Sequence, residues 1–417
     1  MVEATTEPGW RALITDPQRR AAISAVISEI VEAVEAWRRD HASDATPDDH
    51  ADYATLRIYT ATDDAVPDPG DEAGQALAAS VSAITQRQEP GLYGGAARVA
   101  FAVGHLSAGD DADTAYEMIE RSLASYLERP TSNYDLISGI VGIAVPVLQR
   151  IADGRPAPSS EPLARTILSQ LEQLSRPMPT GIAWQTPPEL LPAWQRQIAP
   201  QGYINLGMAH GVPGIIAILA RYIAAGVEVG RARTLLEGAV SYMRSVAQPT
   251  VGSRYPAWLP ARAEASTRVA WCYGDLGVAV AIMAAATATG RDDWRGFALE
   301  LAHGMAARSH ESSMALDAGL CHGAAGNAHL FNRMAQTTGD PELAQAAHTW
   351  FDRALAMRRS EPVAGFPRAA PTDGVVHWEP AVDLLTGATG VALALHAAIS
   401  PIEPAWDQLL LADLSPA

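Results

Sequence analysis

The stretch Gly319-Leu-Cys-His-Gly-Ala-Ala-Gly326 is a glycine-rich turn that leads directly into an apolar run, residues 327–334. The stretch Trp271-Cys-Tyr-Gly-Asp-Leu-Gly277 has the same build and contains the other of the two cysteines in the chain. Cys321 and Cys272 therefore occupy the same register of a repeated pattern. A repeated turn followed by an apolar helix indicates a fold assembled from copies of one supersecondary unit.

The repeat extends over most of the chain, because the same turn followed by a small-residue, apolar helix occurs six times. Glycine at each turn supplies a positive φ or a close backbone approach. In five of the six copies a second glycine follows three residues later. The copies align on Gly94, Gly139, Gly211, Gly274, Gly323 and Gly387.

Amphipathic helices are predicted before and between these copies. A helix that is apolar on all sides is buried, whereas a helix with a polar stripe is partly exposed. The sequence therefore predicts an all-α fold, an α/α toroid of six inner and six outer helices in a single domain over residues 1–417. The N-termini of the inner helices would open on one shared cavity and favour anionic groups there. The predicted outer helices are residues 17–40, 112–128, 161–174, 231–246, 292–308 and 341–357.

Three segments interrupt this regular pattern. Residues 41–74 are acidic and punctuated by proline and glycine, which predicts a loop. The connections 176–203 and 248–266 are rich in proline and aromatic residues and are longer than ordinary helix connections. Long ordered loops tend to be functional, so we expect these two to wall the cavity mouth, with some β-structure.

Composition limits the class of protein. Hydrophobic residues make up 48% of the 417 residues and aromatics only 6%, which favours closely packed helices. The net charge of −17 argues against a nucleic-acid partner. The N-terminus lacks a basic and an apolar signal region, and the apolar run 276–290 is shorter than the ~18–20 residues that span a bilayer. We therefore expect a cytoplasmic protein without a membrane span.

Cys272, Cys321 and His322 form a candidate metal site. Two thiolates and an imidazole suit zinc, and three protein ligands leave its fourth tetrahedral position open, as in catalytic sites. The alternatives are that the cysteines are small buried hydrophobes or that they form a disulfide. A disulfide is disfavoured because nothing in the sequence suggests export to an oxidising compartment.

Four polar residues at or beside the turns are candidates for catalysis. His210 precedes Gly211 and would project into the same cavity as the metal ligands, unless it is a helix-capping or buried structural histidine. Asp135 opens the second copy, where a helix cap is the competing interpretation. Arg268 and Tyr273 flank Cys272, and the competing interpretations are that Arg268 pairs with an acidic neighbour and that Tyr273 only packs.

Two other residues are interpreted as structural. Asp275 is predicted to cap a helix and to have no catalytic role. His303 lies in Ala302-His303-Gly304, which imitates the third copy without its flanking turn, so we place it on an outer helix.

The motifs resemble those of the lanthionine synthetase C-like family, the LanC cyclases. The resemblance rests on Met208-Ala-His-Gly-Val-Pro-Gly214, Trp271-Cys-Tyr-Gly274 and Cys321-His-Gly-Ala-Ala-Gly326, and the sixfold glycine pattern extends it over nearly the whole chain. It implies an α/α toroid that holds Zn²⁺ and cyclises a dehydrated precursor peptide, adding cysteine thiols to dehydroalanine or dehydrobutyrine to form lanthionine and methyllanthionine rings. A stand-alone cyclase also implies a separate dehydratase as partner.

Residue roles follow from the resemblance by motif. The zinc ligands would be Cys272, Cys321 and His322, and the candidate acid/base residues would be His210 and Asp135. Arg268 and Tyr273 would stand beside them and stabilise enolate charge, as in an oxyanion site.

Two other functional classes remain open from the sequence. One is a zinc- and thiol-binding protein, for example a glutathione-binding relative without cyclase activity. The other is a toroidal glycosidase, which needs two carboxylates flanking one bond. The turns offer only Asp135, Asp275 and Asp383, in scattered registers.

Overall fold

The computed structural model describes residues 9–62, 71–84, 89–248, 252–260, 266–360, 363–372 and 374–416. Helices dominate these ranges, and short 3-10 helices cover Pro188–Leu190, Val363–Gly365 and Ala405–Leu410. The α-helices are α1 Pro17–Asp40, α2 Pro47–Thr62, α3 Glu72–Ile84, α4 Ala96–Leu106, α5 Asp110–Tyr126, α6 Ile140–Ala152, α7 Ser160–Leu174, α8 Ala193–Ile198, α9 Val212–Ala224, α10 Val229–Val246, α11 Asp275–Thr289, α12 Asp292–Ala306, α13 His310–Ser313, α14 Ala324–Thr338, α15 Pro341–Ala356 and α16 Ala388–Ile399.

The six glycine-led helices are confirmed as α4, α6, α9, α11, α14 and α16, and nearly all of their residues are buried. Each begins directly after its glycine, except that the first copy begins after Gly95 rather than Gly94. Gly95 has no room for a Cβ, which would lie 2.5 Å from the carbonyl oxygen of Glu89, whereas a Cβ on Gly94 would meet nothing. The alignment on Gly94 was therefore one residue early.

The second glycine of the motif allows the helix to pack directly on its own turn. A Cβ on Gly326 would collide with the carbonyl oxygen of Leu320, six residues earlier. The second glycines of four other copies meet the corresponding carbonyl in the same way. The first copy has Arg98 at this position.

The acidic segment 41–74 is mostly helical, so the prediction of a loop was wrong. It contains α2 and the start of α3, while residues 63–70 lie outside the described ranges. Asp48 and Asp49 lie in the first turn of α2, where carboxylates favour a helix. Its remaining turns are almost entirely buried.

Helix α2 completes the inner ring. In the described parts of the chain, α2, α4, α6, α9, α11, α14 and α16 each contact the next, and α16 contacts α2 again. Each inner helix also packs on one amphipathic helix, namely α3, α5, α7, α10, α12, α15 or α1. The α/α toroid is confirmed, and each described ring holds one helix more than the sequence pattern predicted.

Asp52 of α2 ties together the first and last glycine turns. One of its carboxylate oxygens accepts a hydrogen bond from the Arg98 guanidinium, and the other accepts the backbone N–H of Leu384 at 2.7 Å. Asp48 accepts the backbone N–H of Gly94 at 2.6 Å. Hydrogen bonds to these two carboxylates thus connect α2 to the neighbouring turns, because α2 does not itself follow a glycine turn.

The C-terminal 3-10 helix lies among the inner helices and forms a floor beneath the turns. The indole of Trp271 donates to the carbonyl oxygen of Leu410 at 2.8 Å. From the first copy, the Tyr93 hydroxyl donates to the carbonyl of Leu409 at 2.9 Å. The turn that carries Cys272 is therefore anchored from inside the ring.

The described ranges also contain three antiparallel strand pairs outside the helices. They are β1 Ser175–Pro177 with β2 Ile182–Trp184, β3 Ile204–Asn205 with β4 Trp258–Leu259, and β5 Arg368–Thr372 with β6 Val375–Glu379. The first two pairs lie in or beside the long connections, and this confirms the β-structure expected there. β3 pairs with β4, which joins those two connections. No helix in the described ranges is long and apolar enough to cross a bilayer.

Candidate metal centre and active-site cavity

The turns before α11 and α14 bring Cys272, Cys321 and His322 together. The backbone N–H groups of Trp271 and Cys272 both donate to the carbonyl oxygen of Cys321, at 3.2 and 3.3 Å. One ligand atom from each of Cys272, Cys321 and His322 lies within 4.8 Å of the others. Two sulfurs and one imidazole nitrogen therefore converge on one point, although they come from separate turns.

Neighbouring turns hold the cluster from the other side. The N–H of Cys321 donates to the carbonyl of Leu385 at 2.8 Å. Asp317, which the sequence analysis did not single out, accepts the N–H of Gly319 at 3.1 Å and the N–H of Ala369 at 2.9 Å. This buried carboxylate links the metal turn to strand β5, and a short Asp-Ala-Gly turn was its only signal in the sequence.

The charges around the cluster favour a thiolate. A hydrogen bond from the Cys321 thiol holds the pKa of Cys272 well below its usual range, with help from His322 and Arg268. The same bond, together with burial, raises the pKa of Cys321. Burial opposes the charged form of His322, but the hydrogen bond to Cys272 and the negative charges of Cys272 and Asp317 together outweigh burial and raise the pKa of His322. The cluster therefore stabilises negative charge on sulfur, as a bound cation requires.

The donor set fits a zinc ion. Two sulfurs and one imidazole are ligands that zinc takes, and three protein ligands leave one tetrahedral position for another group. Both cysteines are free thiols, so no disulfide competes for the sulfurs. Cys272 is buried, whereas Cys321 and His322 are partly exposed. The structure therefore supports a metal site, and zinc is the cation that its chemistry favours.

A cavity of about 350 Å³ opens beside the cluster. Its walls come from the second and third glycine turns and from the long connection that contains α8, which confirms that this connection walls the cavity. Tyr273, the neighbour of Cys272, joins the cavity to the metal turn. The lining residues are Asn133, Tyr134, Asp135, Ser138, Thr186, Leu190, Leu191, Pro192, Gln195, Tyr203, Asn205, His210 and Tyr273.

Asp135 and His210 form a hydrogen-bonded pair in this cavity. The His210 Nδ1 atom lies 2.6 Å from Oδ2 of Asp135, whose Oδ1 accepts the N–H of Ser138 at 2.8 Å. A carboxylate can only accept, so Nδ1 carries the hydrogen and Nε2 is left for a substrate. Asp135 therefore stabilises its own turn and orients His210 at once. The competing interpretation of Asp135 as a helix cap was wrong, because Gly139 precedes the first residue of α6 and Asp135 bonds to Ser138 within the turn.

Tyr273 is the third candidate in the cavity. Its ring centre lies 6.3 Å from that of His210, and its hydroxyl accepts a hydrogen bond of 3.1 Å from Nδ2 of Asn205. Burial raises the pKa of Tyr273, so its phenol remains protonated. Asn205 was missed by the sequence analysis because its contact with Tyr273 spans 68 residues.

Arg268 stands apart from the cavity lining but acts on the metal ligands. Its positive charge lowers the pKa of both cysteines and opposes protonation of His322. It is half-buried, and its guanidinium makes no hydrogen bond or ion pair with another residue in the described ranges. The structure thus leaves this charge available next to the metal turn.

Two structural residues lie outside this arrangement. The prediction that Asp275 caps its own helix was wrong. Its carboxylate instead accepts the N–H groups of Arg254 and Tyr255 at 2.7 and 3.0 Å. It therefore anchors the loop before β4. His303 lies on outer helix α12, as predicted, and its Nε2 contacts Asp340 at 2.8 Å.

Comparisons with known proteins agree with this geometry. The family model described as "Lanthionine synthetase C-like protein" matches residues 53–411. Among solved structures, nisin cyclase is similar in fold, with a TM-score of 0.72 over 92% of this chain and 96% of that chain, at 17% sequence identity. No curated protein sequence matches. Because the family model covers most of the chain, including the turns of both cysteines and His210, the protein belongs to the lanthionine synthetase C-like family.

Proposed function

We propose that this protein is a zinc-dependent cyclase that adds cysteine thiols of a dehydrated precursor peptide to dehydroalanine or dehydrobutyrine. The products would be lanthionine and methyllanthionine rings. The observation that carries the proposal is the position of the Asp135–His210 pair. It shares a cavity with Tyr273, whose neighbour in the chain is the metal-ligand candidate Cys272. Tyr273 therefore links the proposed proton donor in the cavity to the turn that carries the proposed thiol activator.

The first requirement is a thiolate nucleophile. Cys272, Cys321 and His322 would hold a zinc ion, which would supply the positive charge that favours loss of the proton from a substrate thiol. Arg268 assists, because its charge stabilises negative sulfur in the same place. The thiolate forms the new bond to the β-carbon of the dehydro residue.

The second requirement is to hold the enolate that this addition creates. As the C–S bond forms, the electron pair of the double bond moves onto the α-carbon and its carbonyl oxygen. The phenol of Tyr273 stays protonated and can donate to that oxygen, while Arg268 adds positive charge. Donors aimed at developing charge are worth about 10²–10³-fold in rate.

The third requirement is a proton for the α-carbon, and we assign it to His210. Asp135 fixes the ring with its Nδ1–H bond and stabilises the protonated imidazole, so Nε2 is the atom that delivers the proton. One proton leaves the thiol and one enters the α-carbon, so the peptide keeps its mass. Loss of free thiol is therefore the signal of cyclisation.

The substrate requires a preceding reaction. Dehydroalanine and dehydrobutyrine arise by loss of water from serine and threonine, so a dehydratase must act first, and we propose one as a separate partner. Thiol substrates and the free Cys272 and Cys321 suit a reducing compartment, which favours the cytoplasm.

The variant His210→Asn tests the proposal against a purely thiol-binding protein. Asparagine is a good turn residue, so the fold and metal content should persist. We expect cyclisation of the dehydrated precursor to slow by about 10²–10⁴-fold, the usual worth of a positioned acid. Alkylation of the remaining thiols over time measures the rate. A zinc-loaded variant that matches the wild-type rate would remove His210 from the mechanism, and a wild-type protein that binds thiols without consuming them would refute cyclase activity.

A further inference from the structure

Asn205 is a fully buried amide at the end of strand β3, and it is the polar neighbour of Tyr273 in the cavity. Pairing of Asn205 with Trp258 of β4 fixes its backbone. Its side chain makes two hydrogen bonds, one to the backbone N–H of Gly207 at 2.9 Å and one to the Tyr273 hydroxyl at 3.1 Å.

The backbone settles which way this amide points. The N–H of Gly207 is a donor, so the atom facing it must be the oxygen, Oδ1. Turning the amide over would place two donors against each other. Nδ2 is therefore the atom that faces Tyr273, and the amide donates to the phenol oxygen.

This direction decides where the hydrogen of Tyr273 goes. The phenol oxygen accepts from Asn205, so its own O–H must find a different acceptor. No acceptor for it lies within hydrogen-bonding distance in the part of the chain that the structure describes. Tyr273 lines the cavity beside His210, and a substrate oxygen there would meet a free donor.

We propose that Asn205 is a positioning residue that keeps the Tyr273 hydroxyl as a donor toward the substrate carbonyl. The proposal rests on the proposed function, because the acceptor is the oxygen that becomes an enolate during ring closure. Asn205 does not touch the reacting atoms. Its Nδ2 group donates to the phenol oxygen and so offers no acceptor to the Tyr273 O–H. A carboxylate or carbonyl oxygen at the same place would accept that hydrogen.

The variant Asn205→Asp reverses the hydrogen bond with little change in shape. One carboxylate oxygen still accepts the N–H of Gly207, while the other now accepts the O–H of Tyr273. We expect kcat for cyclisation to fall on the order of 10²-fold, as expected for loss of one oxyanion donor, with little change in KM. Tyr273→Phe should show the same loss.

A double-variant comparison separates positioning from a general effect of charge. When Asn205→Asp is added to Tyr273→Phe, kcat should fall by less than about a further threefold, because the phenol donor is already absent. Asn133→Asp is the control, since Asn133 lines the same cavity but bonds to Ser138 rather than to Tyr273. In protein that carries Asn133→Asp, the added change Tyr273→Phe should still lower kcat by its full amount, on the order of 10²-fold.

A spectroscopic measurement reads the hydrogen bond without catalysis. Of the 11 tyrosines, Tyr273 can be assigned in ¹³Cζ-tyrosine-labelled protein as the resonance lost in Tyr273→Phe. Asn205→Asp should shift this resonance, and Asn133→Asp should leave it in place. If Asn205→Asp does not fold, Asn205→Ser replaces it, because serine can accept from Gly207 but cannot reach the phenol.

The outcomes separate the two proposals. A shifted resonance in protein that forms no rings would refute the cyclase and keep the positioning role. An unchanged resonance, or losses that multiply fully in the double variant, would overturn the role of Asn205 whatever the activity.

Discussion

Replacing Asp135 by asparagine should disable His210 while leaving the turn intact. The amide oxygen can still accept the N–H of Ser138, which Oδ1 of Asp135 accepts at 2.8 Å. The other end becomes an NH₂ donor facing Nδ1 of His210, where the carboxylate oxygen lay at 2.6 Å. The imidazole must then adopt the other tautomer, and its protonated form loses its counter-charge.

The contact itself sets the size of the effect. The Asp135 side chain is 15% exposed and the His210 side chain 43% exposed, so the bond between them is only partly shielded from water. A hydrogen bond to a charged group is worth about 1.5–3 kcal/mol. At 1.36 kcal/mol per tenfold change in rate, a loss of about 1.5–3 kcal/mol slows ring formation by about 13- to 160-fold.

Asp383 provides a matched control, because it makes the same turn without a histidine. Its Oδ1 accepts the N–H of Thr386 at 2.7 Å, and its Oδ2 accepts the Thr386 hydroxyl at 2.9 Å. The assay is single-turnover cyclisation followed by thiol alkylation, with zinc content and helicity measured in parallel. The cyclisation rate of Asp383→Asn should stay within about threefold of wild type, since these bonds of Asp383 lie within its own turn. Equal losses in both variants would show that Asp135 serves only its turn.

Two further predictions concern the metal and the response to acid. Cys272→Ala, Cys321→Ala and His322→Ala should each lose the one zinc per chain expected for wild type; elemental analysis that finds full zinc in Cys321→Ala would contradict this. Burial lowers the pKa of His105 from 6.5 to about 4, so the unfolded chain binds its proton first. Stability present above pH 6.5 should fall by up to about 3 kcal/mol between pH 6.5 and 4, and His105→Gln should flatten this slope in urea titrations.

The elements that the sequence predicted are those with local signals. A glycine turn followed by a small apolar helix is contained in one short stretch, so all six glycine-led helices were found, with only α4 aligned one residue early. The register shared by Cys272 and Cys321 predicted their convergence, because equivalent turns of a ring face the same end. Amphipathic periodicity located the outer helices to within two residues.

The missed features depend on contacts between distant residues. Helix α2 does not follow a glycine turn. Its position in the ring is held by Asp52, which accepts hydrogen bonds from Arg98 and Leu384, and both residues are far away in the chain. Asp275 was predicted to cap a helix, but its partners lie 20 residues upstream in a loop. Asn205 and its partner Tyr273 lie 68 residues apart in the chain.

The central claim is that ring formation depends on the metal at Cys272, Cys321 and His322. The direct measurement is a zinc titration of chelator-treated protein, with the initial rate of thiol loss from a dehydrated precursor peptide as the readout. The account predicts a rate that rises in proportion to added zinc and levels off at one equivalent per chain, with no rise in Cys321→Ala. A metal-free protein that closes rings at the zinc-loaded rate would contradict it.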